Sequence, residues 1–396
     1  MLLKNASILY GNNLSFVAST DLKISEEIFK KIKPNLMSSR NEQVVDCEGL
    51  LLVPGFINSH SHIGDSIGKD VILNKGVDAK IHPIFGIKSK ILKKSNPNHL
   101  ATFMKNSCRS MIKKGITTFV DFREGGLEGI NLLKQVLSSV PIRSIILGRL
   151  EYYQNPNQIR NNVTLPEIQR KQLRDILKKC HGIGISGPNE NSNSVLRYYS
   201  ESKKIRAIHS AETIQSSNFS KKISGKTETQ RALLLKPHFL VHMTYSSKND
   251  LRTVAKKTRG IVICPRANAT LAEGIPDINQ MLKARCNIAL GTDNVMINSP
   301  DIFREMDFLW KMTMGLNRKH ISPKQILKMA TVNAGKLLNK KIGKIEKGNL
   351  ADIIFFDKHA IDLAPMHNPY ASIVHRASES SIHAVMIGGK FVHGKI

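Results

Sequence analysis

Two histidines separated by a single residue, His60 and His62, close an apolar run that reads Leu51-Leu52-Val53-Pro54-Gly55-Phe56-Ile57-Asn58-Ser59. Such a run reads as a short buried strand. On a strand, residues i and i+2 leave from the same face, so both imidazoles can meet one ion. Neutral imidazole is the commonest nitrogen ligand for zinc and iron, which makes divalent-metal chemistry the natural use of the pair. A polar strand end explains the pair equally well. Three later residues bear on the choice: His209, His242 and Asp293 each follow a short apolar segment. Singly, such a histidine is a satisfied structural group and such an aspartate a helix cap. Five of them at the ends of four strands ask for one explanation.

The elements that must carry these residues alternate. Strand-like runs fall at 116–120, 142–147, 182–185, 206–209, 239–242, 261–264 and 288–291, after the run that ends at His62. Helical patterns lie between them, at 100–113, 165–179, 248–257 and 302–314 among others. Eight strand–helix units predict an α/β fold, a (β/α)8 TIM-like barrel, whose active residues sit at the C-terminal strand ends. Near-continuous apolar strands fit a parallel sheet covered on both faces. Residues 1–52 and 341–396 read instead as short strands around polar turns. They are expected to combine into a small β-sandwich flanking a barrel of residues 53–340.

Composition bounds the function. A chain of 396 residues, 41% hydrophobic and 23% charged, is an ordinary folded protein with room for a barrel and an accessory layer. The five cysteines are scattered and form no CxxC, which favours free thiols in a reducing cytoplasm. No apolar run approaches membrane-spanning length, and no signal peptide is evident at the first residues. The formal charge of +28 raises a nucleic-acid partner. Lysines are spread throughout, however, as in Lys113-Lys114 and Lys178-Lys179, without an aromatic-interleaved basic tract. Solvated helix faces account for them, and nucleic acid is not expected.

The ordered motifs carry a family resemblance. Pro54-Gly55-Phe56-Ile57-Asn58-Ser59-His60-Ser61-His62, Gly115-Ile116-Thr117-Thr118, His209-Ser210-Ala211-Glu212, Val241-His242, Cys264-Pro265-Arg266-Ala267-Asn268 and Gly291-Thr292-Asp293 span most of the chain. Together they resemble the amidohydrolase superfamily, in its deaminase and chlorohydrolase-like branch, and an archaeal subgroup within it. The resemblance implies that His60, His62, His209 and Asp293 bind one divalent metal, zinc or iron. It implies that Asp293 also accepts a proton from the attacking water, that His242 holds that water or polarises the intermediate, and that Glu212 shuttles a proton. Relatives with two metals bridge them with a lysine at the fourth strand end. Here that end reads Gly182-Ile183-Gly184-Ile185-Ser186-Gly187-Pro188, which points to one metal.

Substrate contacts are expected from Arg123, Arg149, Arg266 and Asn268, which follow strands two, three and seven. An arginine at a barrel mouth can bind a carboxylate or phosphate, and an ion pair with a neighbouring acid explains each equally well. The implied activity is metal-dependent hydrolysis of a non-peptide carbon–nitrogen bond in a small molecule, foremost deamination of a nucleoside- or nucleobase-like ring. Hydrolysis of a cyclic amide, as by imidazolonepropionase-like enzymes, is the alternative. A basic, non-catalytic RNA-binding barrel is the reading from another class. A homo-oligomer is compatible with all three.

Overall fold

The computed structural model describes residues 1–71, 86–317 and 320–396, and it divides one apolar run of the sequence between two sheets. The first sheet gathers strands from both ends of the chain: β1 (Leu2–Tyr10), β2 (Ser15–Ser25), β3 (Ile28–Lys33), β4 (Val44–Asp46) and β5 (Leu50–Pro54), with β15 (Ile353–Asp357), β16 (Ile382–Ile387) and β17 (Lys390–His393). The second is the barrel: β6 (Phe56–His62), β7 (Ile116–Arg123), β8 (Arg143–Gly148), β9 (Gly182–Ile185), β10 (Ile205–Ser210), β11 (Phe239–His242), β12 (Ile261–Ile263), β13 (Ile288–Leu290) and β14 (Asp293–Asn294).

In the terminal sheet, the order β17-β16-β15-β5-β1-β2-β3 joins the two chain ends where β5 runs antiparallel to β15. Alternation decides what each face covers. Ile353 and Phe355 of β15 enter a core with Leu3, Ile8 and Met386, while Ile354 and Phe356 pack into the cluster outside the barrel. The two chain ends therefore meet in one mixed sheet that docks on the barrel. Strand β3 reads IFKKIK and carries too many lysines to stand out as a strand in the sequence.

All barrel pairings are parallel, and every residue of β6 and β7 is buried. Val120, Phe122, Ile145 and Leu147 fill the interior, whereas Phe119 and Ile146 face the surrounding helices. The eighth strand is split. Its first half, β13, pairs with β12, and its second half, β14, pairs with β6 and closes the ring. Gly291 lies at the break, where a Cβ would sit 2.7 Å from His60 Cβ and 2.9 Å from its backbone nitrogen. Only glycine lets the chain cross to β6 so close to His60. Thr292 is then clamped: its N–H donates to Asn58 Oδ1 and Asn58 Nδ2 donates to its hydroxyl.

The helices show where the positive charge goes. Lys93-Lys94, Lys113, Lys178-Lys179, Lys221-Lys222 and Lys256-Lys257 all occupy last turns, where cations meet the exposed carbonyls and the negative end of the helix dipole. Among the described residues no helix is long and apolar enough to cross a membrane. All five cysteines are buried and free.

Candidate metal centre and cavity

The strand ends bring four ligating side chains together. His60 and His62 close β6, His209 stands near the end of β10 and Asp293 opens β14. One nitrogen or oxygen from each lies within 4.8 Å of all the others. His60 Nε2 is 3.1 Å from Asp293 Oδ1 and 3.2 Å from His209 Nε2, and His62 Nε2 is 3.5 Å from Asp293 Oδ1. Donors ~2.0–2.1 Å from a tetrahedral zinc ion are separated by roughly 3.3 Å, so the spacing suits such an ion. The strand β9 ends in Ile185 and contributes no ligating side chain to this group.

Two of the three histidines are prepared by a second contact. His62 Nδ1 donates to Glu124 Oε1 at 2.7 Å, with Phe122 O at 3.1 Å, so Nε2 keeps its lone pair for the cluster. His209 Nδ1 donates to Ile185 O at 2.9 Å with the same result. Burial pushes His60 down to about 3 and, with the neighbouring imidazoles, holds His209 well below the usual histidine range. Both are thus neutral ligands. Burial opposes the charge on Asp293, but the hydrogen bond from His60 and the surrounding histidines outweigh it and keep the carboxylate ionised. Three imidazoles and one carboxylate are a donor set that a divalent ion fits.

A second group stands beside the first. Glu212 Oε1 lies 3.6 Å from His242 Nε2, and neither atom has another partner among the described residues. Asn268 sets the ring: its Nδ2 donates to Thr244 Oγ1, so its Oδ1 accepts from His242 Nδ1 at 3.0 Å. His242 Nε2 is thereby left with its lone pair toward the cavity. Burial raises Glu212 above the usual carboxylate range, which favours a carboxylic acid beside that lone pair. Asp293 Oδ2 is likewise without a hydrogen-bond partner among the described residues. Ala211, His242 and Asp293 all have positive φ, at 51°, 70° and 59°. Non-glycine residues held there cost about 1–3 kcal/mol each, a strain that the closed barrel sustains to aim these strand ends.

Above these residues opens a cavity of about 1080 Å³, lined by His62, His209, Glu212, His242 and Asp293 at its floor. Arg123 and Arg149 reach its wall, but both are engaged: Arg123 with Asp121 at 3.8 Å and the Glu124 carbonyl at 3.0 Å, Arg149 with Glu124 and Glu151 at 3.9 and 3.7 Å. Arg266 and Asn268 do not line the cavity. Arg266 turns to Glu305 at 3.4 Å, and Asn268 is fully buried behind His242. Sequence reasoning missed Lys88, Asp65 and Asn294, which support the ligands, and Glu190 and Glu228, which stand in the cavity wall. Lys88 and Glu228 belong to connections, where strand-end logic gives no signal.

The chain matches the amidohydrolase family over residues 51–392 and belongs to it. It is accordingly a hydrolase of carbon–nitrogen bonds other than peptide bonds. Over 396 residues it is 36% identical to a protein of Methanothermobacter thermautotrophicus described as a putative aminohydrolase, with 99% of each chain covered. It is 26% identical to a 5-methylthioadenosine/S-adenosylhomocysteine deaminase of Pyrococcus furiosus, covering 99% of this chain and 94% of that one. Its fold is shared with a zinc-bound adenosine deaminase from Xanthomonas campestris, at a TM-score of 0.81 and 18% identity, covering 98% and 92% of the two chains.

Proposed function

We propose that this amidohydrolase removes the exocyclic amine of an uncharged, aminopurine-like heterocycle, consuming water and releasing ammonia. The observation that carries the reading is the pair Glu212 and His242. Two partnerless polar atoms, one an acid and one a base, face the cavity beside four converging metal ligands. The names of the similar deaminases agree with it.

His60, His62, His209 and Asp293 would hold the ion, with zinc first and iron second. A bound divalent ion supplies the Lewis acidity that makes water a nucleophile near neutral pH. The remaining work belongs to side chains of this chain. Asp293 Oδ2, free of other partners, takes the proton of the attacking water. His242 Nε2, aimed by Asn268, holds that water in line with the ring carbon. Glu212 delivers its proton to the ring nitrogen, takes the proton of the new hydroxyl, passes it to the departing amine, and is restored by the proton that Asp293 took up. The carbon exchanges its bond to nitrogen for one to oxygen, and ammonia leaves.

The cavity supports an uncharged substrate larger than a bare ring. At about 1080 Å³ it stands at the top of the ~300–1,000 Å³ range of small-molecule sites. Glu124, Glu128, Glu151, Glu190, Glu212, Glu228 and Asp293 line it against Lys88, Lys93, Arg123 and Arg149. Of those cations only Lys93, exposed at the rim, has no acidic partner among the described residues. A phosphate would meet these acids with Lys93, at the rim, as its one free counter-cation among the described residues. The free buried cysteines suit a reducing compartment, and we place the enzyme in the cytoplasm.

The test is ammonia release from a panel of aminated bases, nucleosides and nucleotides by the metal-loaded protein. Release from a nucleoside with the matching nucleotide rejected supports the reading. Ring opening without ammonia would establish the cyclic-amide alternative instead.

A further inference from the structure

The helix Ile87–Lys94 lies in the connection between β6 and β7, away from the barrel strands, yet it sends a lysine into the metal centre. Lys88 is only 6% exposed. Its Nζ lies 2.6 Å from Glu124 Oε1, 2.5 Å from Asn294 Oδ1 and 3.4 Å from Asp65 Oδ2. Each partner leads to a strand end. Glu124 Oε1 accepts from His62 Nδ1 at 2.7 Å. Asn294 Nδ2 donates to Asp293 Oδ1 at 3.0 Å. Asp65 Oδ1 accepts from the Met296 N–H at 3.1 Å and so pins the turn after β14.

We propose that Lys88 is a positioning residue for the ion: one ammonium fixes two ligands, His62 through Glu124 and Asp293 through Asn294. The proposal rests on reading His60, His62, His209 and Asp293 as the ion site. Its physical basis is that an ammonium has three donors and no acceptor. Asn294 must therefore turn its oxygen to Lys88, which leaves its NH₂ for Asp293. A reversed amide would set a carbonyl oxygen against a carboxylate. Glu124 Oε1, shared between Nζ and Nδ1, likewise holds His62 with its other nitrogen toward the cluster. Such outer contacts orient the ligands they touch, and their loss typically weakens metal binding by about 10–100-fold.

The plainer role for Lys88 would be a latch for its helix. That helix already has an apolar anchor, however, since Ile87 and Ile91 pack against Leu271, Met296 and Ile297. A buried ammonium is costly unless acceptors surround it, and two of these three acceptors, Glu124 and Asn294, are the ones that touch the ligands.

The experiment measures cobalt and zinc affinity of the folded, metal-free full-length chain, by competition with a chromophoric chelator, and the visible absorption of the cobalt-loaded protein. The wild type is compared with Lys88→Met, Glu124→Gln and the double variant. Lys88→Met is expected to weaken binding by about 10–100-fold and to shift the cobalt bands, with a smaller loss when Glu124→Gln is already present. Wild-type affinity and an unchanged spectrum in Lys88→Met, with only a lowered Tm, would overturn the proposal and leave Lys88 a latch. If Lys88→Met does not fold, the double variant, which removes both buried charges, is read against Glu124→Gln. A further loss through the Asn294 arm supports the proposal, and equal affinity overturns it. Absence of any ion from the wild type would instead overturn the site reading itself.

Discussion

The floor of the cavity and its wall are built differently. Apart from Glu212, the floor residues His62, His209, His242 and Asp293 belong to strands, as does His60 beneath them, and these five are all buried and meet within a few ångströms. His62, His209 and His242 each spend one ring nitrogen on a fixed acceptor, which aims the other. The wall comes from connections and helices, and among the described residues its Glu190 and Glu228 form no salt bridge but hydrogen-bond to serines. Strand ends in a closed barrel are held on both sides by backbone hydrogen bonds, so they can set reacting atoms accurately. Loops cannot, but they can be exchanged without disturbing the sheet. On the proposed function, the floor would define the reaction and the wall the substrate.

Substitutions should separate the two. The largest effect is expected at the ligands: Asp293→Ala or His62→Ala should retain no ion through gel filtration and lose activity to background, as read by metal analysis and ammonia release. Glu212→Gln should keep the ion and lower kcat by roughly 10²–10⁴-fold, the range for a general acid–base group. Asn268→Ala removes the acceptor that aims His242 and should lower kcat by about tenfold, or ~1.4 kcal/mol, as for one hydrogen bond. Steady-state kinetics on the folded variants check both.

The smallest effect is expected in the wall and concerns pH. Burial raises Glu228 from 4.5 to about 8. A carboxyl whose folded pKa is raised binds its proton more tightly in the native state. The corresponding stability is present below pH 4.5 and is lost as pH rises through about 8. Thermal melts of the metal-free protein should therefore show a decline over that window, made shallower by Glu228→Gln. The same substitution should change KM more than kcat. Equal losses in kcat would move Glu228 from the wall to the chemistry.

How far the sequence could be read follows the same division. His60, His62, His209, His242 and Asp293 were legible because a strand end is marked by an apolar run and a polar stop, and because barrel topology brings such stops together. The position of Glu212, proposed as the acid, was legible from its motif. Arg266 and Asn268 were legible as strand-seven residues but not in their direction. Arg266 turns to the buried Glu305, and Asn268 stands behind His242. That direction depends on partners distant in sequence. Lys88 gave no signal because one lysine among many on a polar helix is recognisable only once its three acceptors are known. The split of strand eight was hidden for a similar reason, since Gly291 acquires its meaning from the approach of His60.

The central claim is a centre for one ion held by His60, His62, His209 and Asp293. Its most direct test is the mass of the folded protein under non-denaturing conditions after reconstitution with zinc. One zinc per chain is expected in the wild type and none in Asp293→Ala. Two ions per chain, or one ion retained by Asp293→Ala, would contradict it.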